Sequence, residues 1–191
     1  MKTMLRELMR ALLALLALSA LTGLVYPLAV TALAQLAFPA RANGSLLVVD
    51  GLVRGSRWIG QEWRGERWFH GRPSATSPDP YVPWPSSGSN LGPTNPALAQ
   101  AFAERAERLR GDAREGALPV DLLTSSGSGL DPHVSPAAAF IQVERVARAR
   151  ALDVRRVQAL VEAHIEARAW GFLGERRVNV LELNLALDAL H

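Results

Sequence analysis

The sequence predicts an α+β chain: one N-terminal transmembrane helix, then a single mixed ectodomain with short N-terminal strands and a mainly helical C-terminal half. Three observations carry this. Residues Ala11 to Ala40 contain no Asp, Glu, Lys, Arg or His. Two short β-prone runs flank Asp50-Gly51, and capping signatures at Asn95, Ser135, Asp153 and Asn179 punctuate the remainder of the chain.

The apolar run comes first. About 20 apolar residues, rising ~1.5 Å each, cross a ~30 Å hydrocarbon core, so this run spans with tilt or with an emergent end. Lys2, Arg6 and Arg10 precede it, opposed only by Glu7. By the positive-inside rule, residues 1–10 are cytoplasmic, 11–40 form the anchor and its outer end, and 41–191 lie outside the cytoplasm. Ala40-Arg41-Ala42 fits a signal-peptide cleavage site, but the apolar core of a signal peptide is normally about 7–15 residues, which favours a retained anchor. Ser19 and Gly23 stand four apart, the spacing at which small residues admit a neighbouring helix in lipid.

Beyond the anchor, about 150 residues suffice for one domain with its own core. The isoelectric point of 10.1 accompanies a net charge of only +3, and part of that charge flanks the membrane. Arginine, not an excess of positive charge, sets it, and with no block of like charges a nucleic-acid partner is not expected. Lysine occurs only at position 2, which removes any catalytic or phosphate-loop lysine from the ectodomain. With no cysteine there is neither a disulfide nor a thiolate metal site.

Within the ectodomain, Leu46 to Val49 and Leu52-Val53 read as strands joined by a tight Asp-Gly turn. Residues 55 to 95, rich in Gly, Pro, Ser and Trp, read as short strands and ordered loops. Asn95-Pro96 opens a helix closed by Gly111, with Leu98, Phe102, Ala106 and Leu109 on one face. Leu118 to Thr124 reads as a strand. Ser135-Pro136 opens a helix through about Arg150, and Asp153 caps another, running toward Gly171 with Val157, Leu160, Val161, His164 and Ile165 on one face. Val178 to Leu190 reads as a helix, because Asn179 and Glu182 have capping-box spacing and Leu and Ala favour helix.

For chemistry, Ser125, Ser126, Ser128, Asp131 and His133 fall within one short stretch. Ser128, Asp131 and His133 contain the residue types of a hydrolytic triad, but no G-x-S-x-G elbow is present, and Ser, Gly, Asp and Pro also build tight turns. His70, His133, His164 and His191 are scattered, without compact ligand spacing. Three functions fit at this point: a subunit docked on membrane partners, a membrane-tethered hydrolase using Ser128, Asp131 and His133, or a stand-alone tethered binding domain.

Several ordered peptides add a resemblance. They are Asn43-Gly44-Ser45, Gly55-Ser56 with Ile59-Gly60-Gln61, Trp68-Phe69-His70-Gly71-Arg72-Pro73-Ser74-Ala75, and Gly88-Ser89-Asn90-Leu91-Gly92-Pro93-Thr94-Asn95. Thr124 to His133, then Gln142, Arg145 to Ala147 and Arg150, then Val178 to Leu181 and Leu183 to Asp188 complete the series. Along essentially its whole length the chain resembles the KdpC family of bacterial potassium-pump subunits. Arg176, where that family often has proline, and Ser87, where glycine is common, are departures.

The resemblance implies a non-catalytic subunit in the bacterial inner membrane with no cofactor of its own. Its implied partners are a P-type ATPase subunit that uses ATP, a channel-like subunit that selects potassium, and a small single-span subunit. It also implies nucleotide contact at Ser126, Gly127, Ser128, Gly129 and Gln142 and a chaperone-like effect on ATP use. Topology opposes direct contact, since ATP is cytoplasmic and these residues are expected outside; any such effect would be coupling through the assembly. Ser19, Gly23, Trp68, Phe69, His70, Arg72, Asn90 and Asn95 are the candidate partner-interface residues, the loops at 68–75 and 86–95 being expected to dock over the pump's outer entrance.

Overall fold

The computed structural model describes residues 2–111 and 117–190; His191 lies outside them. The chain divides into two units, 1–53 and 54–191.

In the first unit, α1 (Lys2–Ala20), a π-helical turn (Leu21–Val25) and α2 (Tyr26–Ala37) succeed one another in the chain. Thr3–Ala37 forms a helix long and apolar enough to cross a membrane, at ~50 Å considerably longer than a hydrocarbon core. The π turn has a covalent cause. Pro27 has no N–H and its ring crowds the carbonyl four residues back, so the turn before it widens, and the Tyr26 N–H bonds the Leu21 carbonyl five residues earlier. The Thr22 hydroxyl donates to the Leu18 carbonyl at 2.8 Å. Phe38 ends α2 because Pro39 disfavours helix in the residue before it. After α3 (Pro39–Ala42), the Asn43 amide closes the end by bonding Gln35 and the Pro39 carbonyl.

The expected hairpin is present as β1 (Leu46–Val49) paired with β2 (Leu52–Ser56). Asp50 and Gly51 both have positive φ, the geometry of a two-residue turn matched to strand twist.

The second unit contains α4 (Pro96–Leu109), α5 (Val120–Leu123), β3 (His133–Val134), α6 (Pro136–Phe140), α7 (Val143–Arg150), α8 (Val154–Ala163), β4 (Ile165–Glu166), β5 (Arg177–Asn179) and α9 (Val180–Asp188). β5 is central in an antiparallel sheet of order β3-β5-β4, with Val178 opposite both Val134 and Ile165. α8 packs on α6, α7 and α9, while β5 packs on α6 and α9. The core is Phe69, Val146, Ala147, Val157, Val161, Val178, Leu183 and Leu187, all fully enclosed.

Four caps act as expected: Asn95, Ser135, Asp153 and Asn179 each accept a backbone N–H of the first helical turn. Glu182 supplies only its N–H to this cap; its carboxylate pairs with Arg57 at 3.1 Å. Other expectations are corrected. Residues 55 to 95 contain no strand beyond Ser56 and form ordered loops. Leu118 to Thr124 is not a strand: Pro119 starts a single helical turn, α5, with Asp121 in its first turn. The helix after Ser135 is two, because Gln142 turns its side chain inward between α6 and α7. The helix after Asp153 stops at Ala163, where His164 Nδ1 meets the Leu160 carbonyl at 2.8 Å and Ile165-Glu166 leaves to pair with β5.

Candidate functional site

The loop at residues 66–72 is held by side chains that replace a neighbouring strand. The Phe69 N–H donates to Asn184 Oδ1 at 3.0 Å, and Asn184 Nδ2 returns a bond to the Phe69 carbonyl at 2.9 Å. Gln142 treats His70 alike, its Oε1 accepting from the His70 N–H at 2.7 Å and its Nε2 donating to the His70 carbonyl at 3.1 Å. Such two-point amide contacts satisfy backbone groups that would otherwise be buried without partners. Arg145 donates to the Glu66 and Trp68 carbonyls and to Gln142 Oε1. Arg150 donates to the Arg67 carbonyl and lies 4.3 Å from the Trp68 ring centroid. α7 and α9 thus use Gln142, Arg145, Arg150 and Asn184 to hold one loop from below.

Arg72 organises the next segment. It donates to Asp131 Oδ2 at 3.1 Å and to Thr124 Oγ1 at 3.3 Å, and Asp131 Oδ1 accepts the His133 N–H at 3.0 Å. Burial would raise the Asp131 carboxyl, but hydrogen bonds from His133 and Arg72 together outweigh it and hold it below its ordinary value. The Tyr81 hydroxyl donates to the Arg72 carbonyl at 2.6 Å, and burial, reinforced by the Asp131 charge, pushes this phenol up to about 12.

The Ser/Gly stretch is packed between other loops. Gly60 donates to the Leu130 carbonyl, Ser87 N–H and Ser86 Oγ donate to the Ser128 carbonyl, and Ser126 N–H donates to the Pro73 carbonyl. Gly129 has φ +72°, and a Cβ there would lie 2.6 Å from Thr76 Cγ2 and 2.7 Å from the Ser87 carbonyl oxygen; the position needs glycine for both reasons. An open cleft of about 550 Å³ beside this region is lined by Arg72, Asp121, Asp131, His133, Arg176 and Arg177. Its carboxylates are occupied, Asp121 by the N–H and hydroxyl of Ser135 and Asp131 by Arg72 and His133. Among the described residues no three His, Asp or Glu side chains gather as a metal site.

These placements sort the expected site residues. Ser128, Asp131 and His133 share one turn, yet the Ser128 hydroxyl accepts the Leu130 N–H while Asp131 is bound by Arg72 and His133, so the three build the turn. Gln142 is 1% exposed with both amide atoms committed to the protein, and Ser126 is also buried; the implied nucleotide contacts at Ser126, Gly127, Ser128, Gly129 and Gln142 become loop-packing contacts. Phe69, expected at an interface, is enclosed in the core. Trp68, His70 and Arg72 are half-buried in the clamp, Asn95 caps α4, and Asn90 is exposed with positive φ. Ser19 and Gly23 lie on the exposed anchor, Gly23 within the π turn.

This arrangement of clamp, Ser/Gly packing and anchor covers the length over which known proteins match. A family model described as "K+-transporting ATPase, c chain" matches residues 8–189. The chain belongs to the KdpC family. Similar proteins include "Potassium-transporting ATPase KdpC subunit" of Sorangium cellulosum, 58% identical over 97% of this chain and 98% of the relative. The protein of that name from Variovorax paradoxus is 58% identical over 90% of each chain. That from Methylococcus capsulatus is 57% identical over 94% of this chain and 96% of the relative. In this KdpC chain, the clamp through Gln142, Arg145, Arg150 and Asn184 escapes sequence reasoning as a structural unit. The signal is nonetheless in view: four polar residues at positions of otherwise apolar helices, each needing a partner.

Proposed function

We propose that the chain is a non-catalytic accessory subunit of an ATP-driven, high-affinity potassium uptake pump. It would be held by its single helix with the N-terminus in the cytoplasm and residues 41–191 outside. The observation carrying this reading is the family match across residues 8–189, which includes both the apolar helix and the clamped loops. On this reading the subunit contacts a P-type ATPase subunit, a channel-like subunit and a small single-span subunit. Ser19 and Gly23 offer the close-packing helix face, and the segments around Trp68, His70, Arg72, Asn90 and Asn95 shape the docking surface. The committed amide of Gln142 supports an indirect effect on ATP use through subunit coupling.

The test is deletion of residues 1–40 in cells dependent on this pump. Loss of co-purifying membrane subunits and of growth at low potassium is expected. Normal growth and intact assembly would overturn the reading.

A further inference from the structure

The most exposed large aromatics outside the anchor include Trp170, 85% exposed, and Phe172, 72% exposed, with Leu173 beside them. They crown a small hairpin. Ala169 and Leu173 exchange both backbone bonds at 2.9 Å, and the Gly171 and Phe172 N–H groups bond back to the Arg168 and Ala169 carbonyls. The two rings stand 6.5 Å apart, and the Arg168–Glu175 pair at 2.6 Å ties the sides of the loop. We propose that this tip dips into the lipid headgroup region of the membrane that holds the chain.

Three features favour lipid as the occupant. First, the tip's backbone groups largely bond within the hairpin, which is what a segment entering a water-poor region requires. Second, Trp is the side chain that settles at the headgroup level, its ring apolar and its indole N–H hydrogen-bonding. Third, local charge leaves a cation: Arg168 is paired with Glu175 and Arg177 with Glu166, while Arg176 has no acidic partner among the described residues. That residual charge complements an anionic headgroup.

The base of the tip is also tied to the start of this unit. Arg57, three residues after the unit begins at Arg54, donates to Glu166 at 2.8 Å and pairs with Glu182, and its carbonyl accepts the Asn179 amide at 2.8 Å. Arg177 holds the other oxygen of Glu166 at 2.8 Å. Few residues separate Arg57 from the apolar helix, so the tip acts on a membrane to which it is already tethered. A weak insertion then suffices, because tethering raises the effective concentration of the surface.

The proposal rests on the anchor remaining in the mature chain. The test uses the full chain, which has no native cysteine, carrying Phe172→Cys or, as a control on exposed α4, Ala103→Cys. Each variant, labelled with an environment-sensitive fluorophore, is placed in lipid discs of mixed phosphatidylglycerol and phosphatidylethanolamine with brominated acyl chains. It is measured alone and assembled with its co-expressed membrane subunits. The expected result is a blue shift and strong quenching at position 172 in both preparations, consistent with a depth of about 5–10 Å, and none at 103. Adding Trp170→Ala should reduce the quenching at least severalfold. Co-elution with discs but no quenching at 172 would overturn the tip proposal while leaving the anchor intact; failure to co-elute would overturn the anchor reading and this proposal with it. Photocrosslinking of position 172 to a companion subunit, without lipid quenching, would assign the tip to protein and also overturn it.

Discussion

Two loops of the second unit share a vocabulary of Trp, Phe, Gly and Arg, yet one is internal and the other projects. In residues 66–72, Phe69 is fully enclosed. In residues 168–175, Trp170 and Phe172 stand in solvent. The difference lies in who satisfies the backbone. The internal loop gives its N–H and C=O groups to side chains from distant helices, Gln142, Arg145, Arg150 and Asn184. The projecting loop closes its bonds on itself. A loop whose partners are remote is fixed to the core, whereas one with local partners is free to meet something else.

The sharpest way to break this contrast is Asn184→Leu. Leucine fills a similar volume but leaves the Phe69 N–H and C=O buried and unpaired, at roughly 1–3 kcal/mol for each group. A loss of roughly 2–5 kcal/mol is expected in urea unfolding of the full chain in detergent, monitored by tryptophan fluorescence. A loss below about 1 kcal/mol would mean that water or relaxation replaces the amide, and that the loop is not clamped by Asn184.

Much of this is legible in the sequence, for identifiable reasons. The anchor, the Asp50-Gly51 hairpin and the caps at Asn95, Ser135, Asp153 and Asn179 depend on nearby residues, and the structure shows them where local rules put them. The features that local rules miss depend on distant partners. The α6–α7 break has no Gly or Pro; it exists because Gln142 reaches His70. α8 ends early because Ile165 and Glu166 are claimed by β5. The residues Ser128, Asp131 and His133 resemble chemistry because a sequence shows residue types, whereas Arg72, far away in the chain, is what occupies Asp131. Phe69 reads as a surface residue because its neighbours Trp68 and His70 are partly exposed types; only Asn184 explains its burial.

A smaller, pH-dependent effect tests the ring of contacts around Arg72. Tyr81 has its phenol raised to about 12, against about 10 when unfolded. The unfolded chain therefore ionises first, and the full stability present below pH ~10 falls as pH rises toward the folded value. Tyr81→Phe should remove this alkaline loss, at a cost of about 1 kcal/mol near neutrality for the missing bond to the Arg72 carbonyl. Asp131 has the opposite sign. Its folded value is depressed, so its contribution is present above about pH 4 and fades as pH falls through the folded value. Asp131→Asn should flatten that acid limb. Unchanged pH profiles in both variants would show that Arg72, Tyr81 and Asp131 do not act as the coupled set their geometry describes.

The smallest effect belongs to the projecting loop. Trp170 touches little besides Phe172, and substitutions at exposed positions away from special features usually change stability by less than about 0.5 kcal/mol. Trp170 does have positive φ, +52°, so Trp170→Gly should be neutral or slightly stabilising locally, and Trp170→Ala nearly neutral, in the same urea titration. Membrane readouts should move in the opposite order: lipid quenching at position 172 should fall with either variant yet survive Asn184→Leu as long as that protein is folded. A projecting loop that tolerates truncation without loss of stability, yet loses its lipid signal, has its aromatics for contact and not for the core. If Trp170→Ala instead destabilised the chain as much as Asn184→Leu, the two loops would share one structural role and the contrast between them would fail.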